Sequence, residues 1–442
     1  MTKRLFLLFF VAVLFFAVPA RAELSIDITG ARSEPMAVAL PDFAANNPQG
    51  TAVAKKIRNI IQNDLESSGL FRVLEKGAYL QKFKGIGEAP RFVDWQAVRA
   101  EALIQGQVEY VSDKKIRVSF RLWDVFSSEE LSSAALEIEK KGLRRVAHII
   151  ADMIYKRITG EEGYFDTRIV YVAETGTPLN RIKRLAIMDQ DGDNHQFLTD
   201  GLNLVLTPRF SPNMQQITYM SYYKDLPRVY LFDIETGKQQ IVGDFPGMTF
   251  APRFSPDGHK LIMSMAEDGN SDIYEMNLDT RSVRQLTRHP AIDTSPSYSP
   301  DGKKIVFNSD RSGSQQLYVM DRNGKNVRRI SFGSGRYATP VWSPRGDYIA
   351  FTKMLGRKFY IGVMFPDGTG ERLVADGYLV EAPTWSPNGR LLMYFRQDPP
   401  GKNGIPGATK IYAVDITGYN ERRLVTPVDA SDPAWSPLLS NR

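Results

Sequence analysis

The chain has 442 residues, 43% hydrophobic and 24% charged, which is too apolar for a disordered chain, too polar for many membrane spans, and long enough for two or three domains. Its formal charge is +6, but Lys3, Arg4 and Arg21 lie in an apparent leader without acidic residues, and the remaining 53 basic and 50 acidic side chains leave +3 with no compact basic stripe, which argues against nucleic acid as a partner. With no cysteine, disulfides, thiol catalysis and cysteine-ligated zinc are excluded.

Lys3 and Arg4 precede an apolar run over 5–18, followed by Pro19-Ala20-Arg21-Ala22. The pattern predicts a cleaved signal peptide, residues 1–22. About 14 apolar residues are too few to span roughly 30 Å of hydrocarbon at 1.5 Å per residue. Glu23 stands where a lipid-bearing cysteine would be, so export of a soluble chain to the periplasm or the medium is expected. Residues 23–34 follow. Their start, Glu23-Leu24-Ser25-Ile26-Asp27-Ile28, alternates apolar and polar side chains as a strand does, and it can either dock on its own domain or add to the sheet edge of a partner.

Residues 35–162 read as an α/β domain. A strand is predicted over 36–40, and a helix over 53–65, where Val53, Ile57, Ile60, Ile61 and Leu65 recur at helical spacing and Gly69 stops the chain. A strand over 71–74 and a short helix over 95–102 come next, then three antiparallel strands over 103–111, 116–123 and 131–138. A second long helix over 143–158 turns Val146, Ile149, Ile150, Met153 and Ile154 inward. Thr159-Gly160-Glu161-Glu162-Gly163 reads as a hinge.

Residues 163–442 contain a repeat. Pro-x-aromatic-Ser-Pro recurs six times, first as Pro208-Arg209-Phe210-Ser211-Pro212 and last as Pro433-Ala434-Trp435-Ser436-Pro437, and the serines 211, 255, 299, 343, 386 and 436 are 44, 44, 44, 43 and 50 residues apart. Ser-Pro-Asp-Gly at 255–258 and 299–302 has the residues of a type I turn. Four short strands in about 44 residues is the period of a propeller blade. The stretches 168–172, 184–188 and 196–199 match a blade lacking its first strand, so the strand near 433–437 is expected to complete it and close a six-bladed β-propeller.

Little of the sequence points to catalysis. His148, His195, His259 and His289 form no HxxxH or HxE pair and are expected at the surface. Asp189-Gln190-Asp191-Gly192-Asp193 lacks the glycine and glutamate positions of a calcium loop and reads as a blade turn. A nucleophile elbow and a phosphate loop are both missing. No catalytic, cofactor or metal site is assigned. The residues before each repeat proline, namely Thr207, Ala251, Thr294 and Ser295, Ala338 and Thr339, Glu381 and Ala382, Ser431 and Asp432, are small or polar, and are expected on one rim as binding positions. The aromatics of the motif are expected to wedge between blades.

This ensemble resembles the TolB family: a signal peptide, an α/β domain, six repeats and the segments Glu23 to Ile28 and Met36-Ala37-Val38-Ala39-Leu40-Pro41-Asp42-Phe43. The resemblance implies a monomeric, periplasmic, non-enzymatic adaptor of the Tol-Pal system that neither binds nucleic acid nor inserts in a membrane. It implies that Glu23, Leu24, Ser25, Ile26, Asp27 and Ile28 bind the C-terminal domain of TolA. It further implies that the propeller rim binds the lipoprotein Pal around Met248, Thr249, Phe250, Ala251, Thr294 and Ser295, with Ala338, Thr339, Glu381 and Ala382 on the same rim. Outer-membrane integrity, constriction at division and, in some members, bacteriocin import are the implied roles. Two other readings compete: a periplasmic propeller hydrolase or lyase with its site at the tunnel mouth, for which Glu381 and Asp432 are candidates, and a glycan-binding propeller.

Overall fold

The computed structural model describes residues 24–26 and 34–439, apart from 178–179, 214, 224–225, 244, 246–247 and 403. The leader 1–22, with Glu23, Asp27 and Ile28, lies outside the described residues. Among the described residues no helix is long and apolar enough to cross a membrane.

The amino-terminal unit is a sheet covered by two helices. Met36–Ala39 pairs in parallel with Phe71–Val73 on one side and with Ala102–Tyr110 on the other. Lys115–Asp124 and Glu130–Glu139 then extend the sheet antiparallel. The first helix, Pro48–Ser67, starts five residues before its periodic apolar stripe: Asn47 accepts the Gly50 N–H at 2.6 Å, and Pro48 occupies the first turn, where its missing donor costs nothing. The short helix is Phe92–Ala97 rather than 95–102, because Arg99 turns to φ 59° and residues from Ala102 are taken by the central strand. The last helix, Leu143–Thr159, ends at Gly160 in the left-handed conformation (φ 74°). Val146, Ile150 and Ile154 are buried as expected, Ile149 and Met153 only partly, while Ala147, Ala151, Tyr155 and Ile158 complete the inner face.

The second unit is a six-bladed β-propeller, each blade a four-stranded antiparallel sheet. Blade 1 joins Arg168–Thr177, Asn180–Asp189 and Gln196–Phe197 to the far strand Asp429–Trp435. Blades 2 to 6 begin with the inner strands Val205–Phe210, Met248–Phe254, Asp293–Tyr298, Arg336–Trp342 and Leu379–Trp385.

One side chain organises every blade. In the turn after each inner strand the serine backbone N–H bonds a carbonyl of the second strand, and the serine Oγ accepts the N–H of that same residue. The Oγ bonds are Gln216 to Ser211 at 3.0 Å, Lys260 to Ser255 at 3.0 Å, Lys304 to Ser299 at 2.9 Å, Tyr348 to Ser343 at 3.3 Å and Leu391 to Ser386 at 2.9 Å. In blade 1 the partner is distant in sequence: Arg168 N–H donates to Ser436 Oγ at 2.8 Å, and Ser436 N–H donates back to the Arg168 carbonyl at 2.9 Å. All six serines are buried, so each hydroxyl is held away from competing water. The aromatics pack between blades: Trp385 Nε1 donates to the Val341 carbonyl at 3.0 Å, and Tyr298 Oη to Glu275 at 2.7 Å.

The two units share one hydrophobic core. It runs from Ile57, Ile61 and Val146 through Tyr155, Tyr164 and Phe165 into Ile169, Tyr171, Met393, Ile411 and Trp435 of blades 1 and 6. Polar groups frame it. His148, expected at the surface, is buried and bonds Asp64 at 2.7 Å, while Gln190 of the propeller donates to the other Asp64 oxygen at 2.9 Å. Arg144 reaches three carboxylates of one blade turn: Asp189 at 2.9 Å, Asp191 and Asp193. Burial alone would lower the His148 pKa, but the charge and hydrogen bond of Asp64, with Asp191 and Asp189 behind it, raise it to about 9.

Two predictions follow from these bonds. Ser436→Ala strips the Arg168 N–H of its partner and is expected to cost about 1–2 kcal/mol in chemical denaturation, with hydrogen exchange accelerated in both Arg168–Thr177 and Asp429–Trp435, whereas Ser299→Ala costs a similar amount and opens blade 4 alone. His148→Gln leaves Asp64 buried without its cation, at about 3–5 kcal/mol. Because the folded pKa of His148 lies above its ordinary 6.5, its contribution is complete below pH 6.5 and is lost as pH rises through about 9. The wild-type chain should therefore lose stability over that interval more steeply than His148→Gln, and equal slopes would show that the pair is not an imidazolium and a carboxylate.

Candidate functional site

The inner strands line the tunnel, and each is interrupted at the same place. Thr207, Ala251, Ser295, Thr339, Ala382 and Asp432 have φ of 49°, 50°, 55°, 46°, 56° and 48°, a conformation that side chains other than glycine adopt at a cost of about 1–3 kcal/mol. At each the ladder with the second strand shifts register, as between Leu206 and Arg209 or Glu381 and Thr384. The following proline has no N–H to give to that ladder, so a bulge is where it can sit inside a strand. Six repeats of one bulge thus make a ring around the tunnel wall.

Charge is divided across this tunnel. Glu381 and Asp432, from adjoining inner strands, are half-buried on one side. Burial, with the Asp432 charge adding to it, raises Glu381 to about 6. Burial likewise raises Asp432, against the pull of Arg209, Lys183 and the Thr207 N–H. Arg209 and Arg253 of blades 2 and 3 project into a chamber of about 370 Å³ at the Ser-Pro mouth, where all six aromatic-Ser-Pro motifs meet.

The other mouth is built from the loops that join one blade to the next and from the hairpins between second and third strands, which antiparallel order puts at the same end. These loops carry exposed apolar side chains: Leu202 (84% exposed), Met248, Ile292, Phe332 (71% exposed) and Tyr378, with Leu226, Leu355 and Ile405 on the hairpins. Single exposed apolar residues are ordinary; a recurring set around one opening is the composition of a partner-binding face.

Of the ten rim residues selected from the sequence, only Met248 is exposed on this face. Phe250, Ala251, Thr294, Ser295, Ala338, Thr339 and Glu381 are half-buried, and Thr249 and Ala382 are buried. Their positions are secured from within: Asn308 Nδ2 donates to Thr294 Oγ1 at 2.8 Å, Thr339 and Thr352 hydroxyls bond at 2.8 Å, and Ser295 N–H donates to Ser264 Oγ at 3.1 Å. Apart from Met248, sequence reasoning did not select these loop residues, because they lie outside the repeated motif and have no period of their own.

A second candidate surface lies beside the domain seam. Leu24 and Ile26 pack against the shared core with Ser25 exposed between them, and Ile26 N–H donates to the Ile158 carbonyl at 3.0 Å. From there packed groups lead on to the tunnel. Tyr155 meets Tyr164 and Tyr164 meets Trp435, both edge to face with ring centroids 5.8 Å apart, and Trp435 N–H donates to Thr384 Oγ1 of the blade 6 inner strand at 3.3 Å.

Among the described residues one trio, Asp64, His148 and Asp191, has metal-ligating atoms close enough to share an ion. Most of its donors are committed, both Asp64 oxygens to His148 and Gln190 and Asp191 to the Arg144 guanidinium, while His148 Nε2 is buried with no hydrogen-bond partner among the described residues.

Residues 24–131 match the family model described as the TolB amino-terminal domain, and residues 155–439 the one described as the TolB beta propeller domain. A curated relative named Tol-Pal system protein TolB, from Paramagnetospirillum magneticum, is 60% identical over 95% of this chain and 94% of its own length; another of that name, from Pelagibacter ubique, is 56% identical over 98% and 100%. The crystal structure of TolB from Acinetobacter baumannii superposes with a TM-score of 0.82 at 28% identity, covering 94% of this chain and 100% of that one. With both domains matched in order and near-complete overlap with these relatives, the chain belongs to the TolB family.

Proposed function

We propose that this chain is a non-enzymatic component of the Tol-Pal system in the periplasm, an adaptor whose propeller face binds the lipoprotein Pal and whose segment 23–34 binds the C-terminal domain of TolA. Two relatives more than half identical to it bear the name Tol-Pal system protein TolB. The observation that carries the reading is the ring of exposed apolar side chains around one tunnel mouth, Leu202, Met248, Ile292, Phe332 and Tyr378, on a propeller rigidly joined to a second domain that presents a separate short segment. A scaffold with two separated faces suits an adaptor that links an inner-membrane protein to an outer-membrane lipoprotein. Support for outer-membrane integrity and for constriction at division would follow from that link, and bacteriocins would enter by competing for the same faces.

A second reading has one observation in its favour. Burial, with the Asp432 charge beside it, pushes the Glu381 carboxyl up to about 6, a value suited to general acid–base work in a hydrolase or lyase.

Calorimetric titration of residues 23–442 with the soluble domain of Pal is expected to give a single site. Phe332→Asp and Met248→Asp should each weaken it by about tenfold or more, since a charge in a desolvated interface costs over 1.4 kcal/mol. Deleting 23–34 should abolish TolA binding while Pal remains bound, and unweakened Pal binding by both substituted chains would remove the loop face from the proposal. Glu381→Gln is expected to leave detergent resistance of complemented cells intact; loss of resistance with both partners still bound would favour the catalytic reading.

A further inference from the structure

The chamber at the Ser-Pro mouth contains two arginines that the adaptor reading does not use. Arg209 and Arg253 occupy the same position in neighbouring blades, between the repeat proline and the aromatic; the other four blades have Ser297, Val341, Thr384 and Ala434 there. Two long cations therefore share a space whose remaining wall is small or apolar, with Tyr298, Trp342, Trp385 and Trp435 around it. Among the described residues no carboxylate lies within ion-pair distance of either guanidinium; Arg209 bonds only the carbonyl of its neighbour Pro208, at 2.6 Å. Comparable arginines of this propeller are paired: Arg311 with Asp293 at 2.7 Å, and Arg390 with Asp415 at 2.6 Å.

Guanidinium keeps its proton in proteins. Two of them, half-buried and side by side, repel each other and have lost part of their water. Asp432 reaches Arg209 electrostatically from the adjoining inner strand, whereas Arg253 faces only the like charge of Arg209. A group that settles both has negative charge and several acceptor oxygens for two planar donor forks. At about 370 Å³ the chamber is several times the roughly 30 Å³ that a water molecule occupies, enough for such a group with part of its hydration shell.

We propose that Arg209 and Arg253 form an anion site inside the tunnel, which takes a small oxyanion of the phosphate or carboxylate class between the two guanidinium groups. The test uses residues 23–442 at constant ionic strength, with chloride replaced by inorganic phosphate in one arm and by succinate in the other, followed by melting temperature and calorimetry. Saturable binding and a rise in Tm are expected in at least one arm, and the stronger arm identifies the head group. Arg253→Gln should weaken that affinity by about tenfold or more, the effect of losing a charged hydrogen bond, and Arg209→Gln/Arg253→Gln should abolish it. The double variant removes like charges and is expected to fold at least as well in chloride. Should it fail to fold, Arg253→Lys, which keeps the charge and loses the fork, must show a reduced response. No response of the wild-type chain in either arm, or an undiminished response in the variants, overturns the proposal.

Discussion

The propeller depends on one hydrogen-bonded clamp, the buried serine that bonds through its N–H and its Oγ to a single residue of the next strand. In blades 2 to 6 that partner is five residues ahead in the chain. In blade 1 it is Arg168, 268 residues away. Chemically the two cases are the same bond, so ring closure needs no special device, only the sixth copy of a local motif meeting the first unpaired strand. Closure pairs both sides of Arg168–Thr177 and removes an edge that would otherwise invite another chain.

The second constraint is the seam. An apolar core continuous through Tyr155, Tyr164 and Trp435 makes the amino-terminal unit part of the propeller's packing rather than a tethered neighbour. The polar frame adds direction: Arg144 grips one blade turn by three carboxylates, and Asp152 accepts the N–H groups of Phe165 at 2.7 Å and Asp166 at 3.0 Å, fixing the connection between the units. Contacts therefore run without a gap from Ile26 to the tunnel wall at Thr384. A chain of packed groups of this kind is one physical route by which two separated faces of a protein can be coupled.

The repeat made the propeller legible. Six copies of Pro-x-aromatic-Ser-Pro state the blade count, the turn position and, through the incomplete first blade, the closure. Helical periodicity likewise located both long helices. What escaped depended partly on groups far apart in the chain and partly on local caps and bulges outside the hydrophobic pattern. His148 looked like a surface residue because Asp64, its partner, is 84 positions away. The first helix began early because Asn47-Pro48 caps it outside the apolar stripe. The residues preceding the prolines were expected on a rim, but six left-handed bulges place them along the wall, and the rim itself is made by loops such as those holding Leu202 and Phe332, which no period announces.

Closure by Asp429–Trp435 also sets the order of events as the chain is made. Blade 1 is started before any other and finished after all of them, so the ring stays open until blades 2 to 6 have been synthesised. Once shut, the long sequence separation between the two halves of that blade makes closing slow and reopening a concerted event. The same strand that delays folding thus serves afterwards as the latch that holds the protein in its folded form.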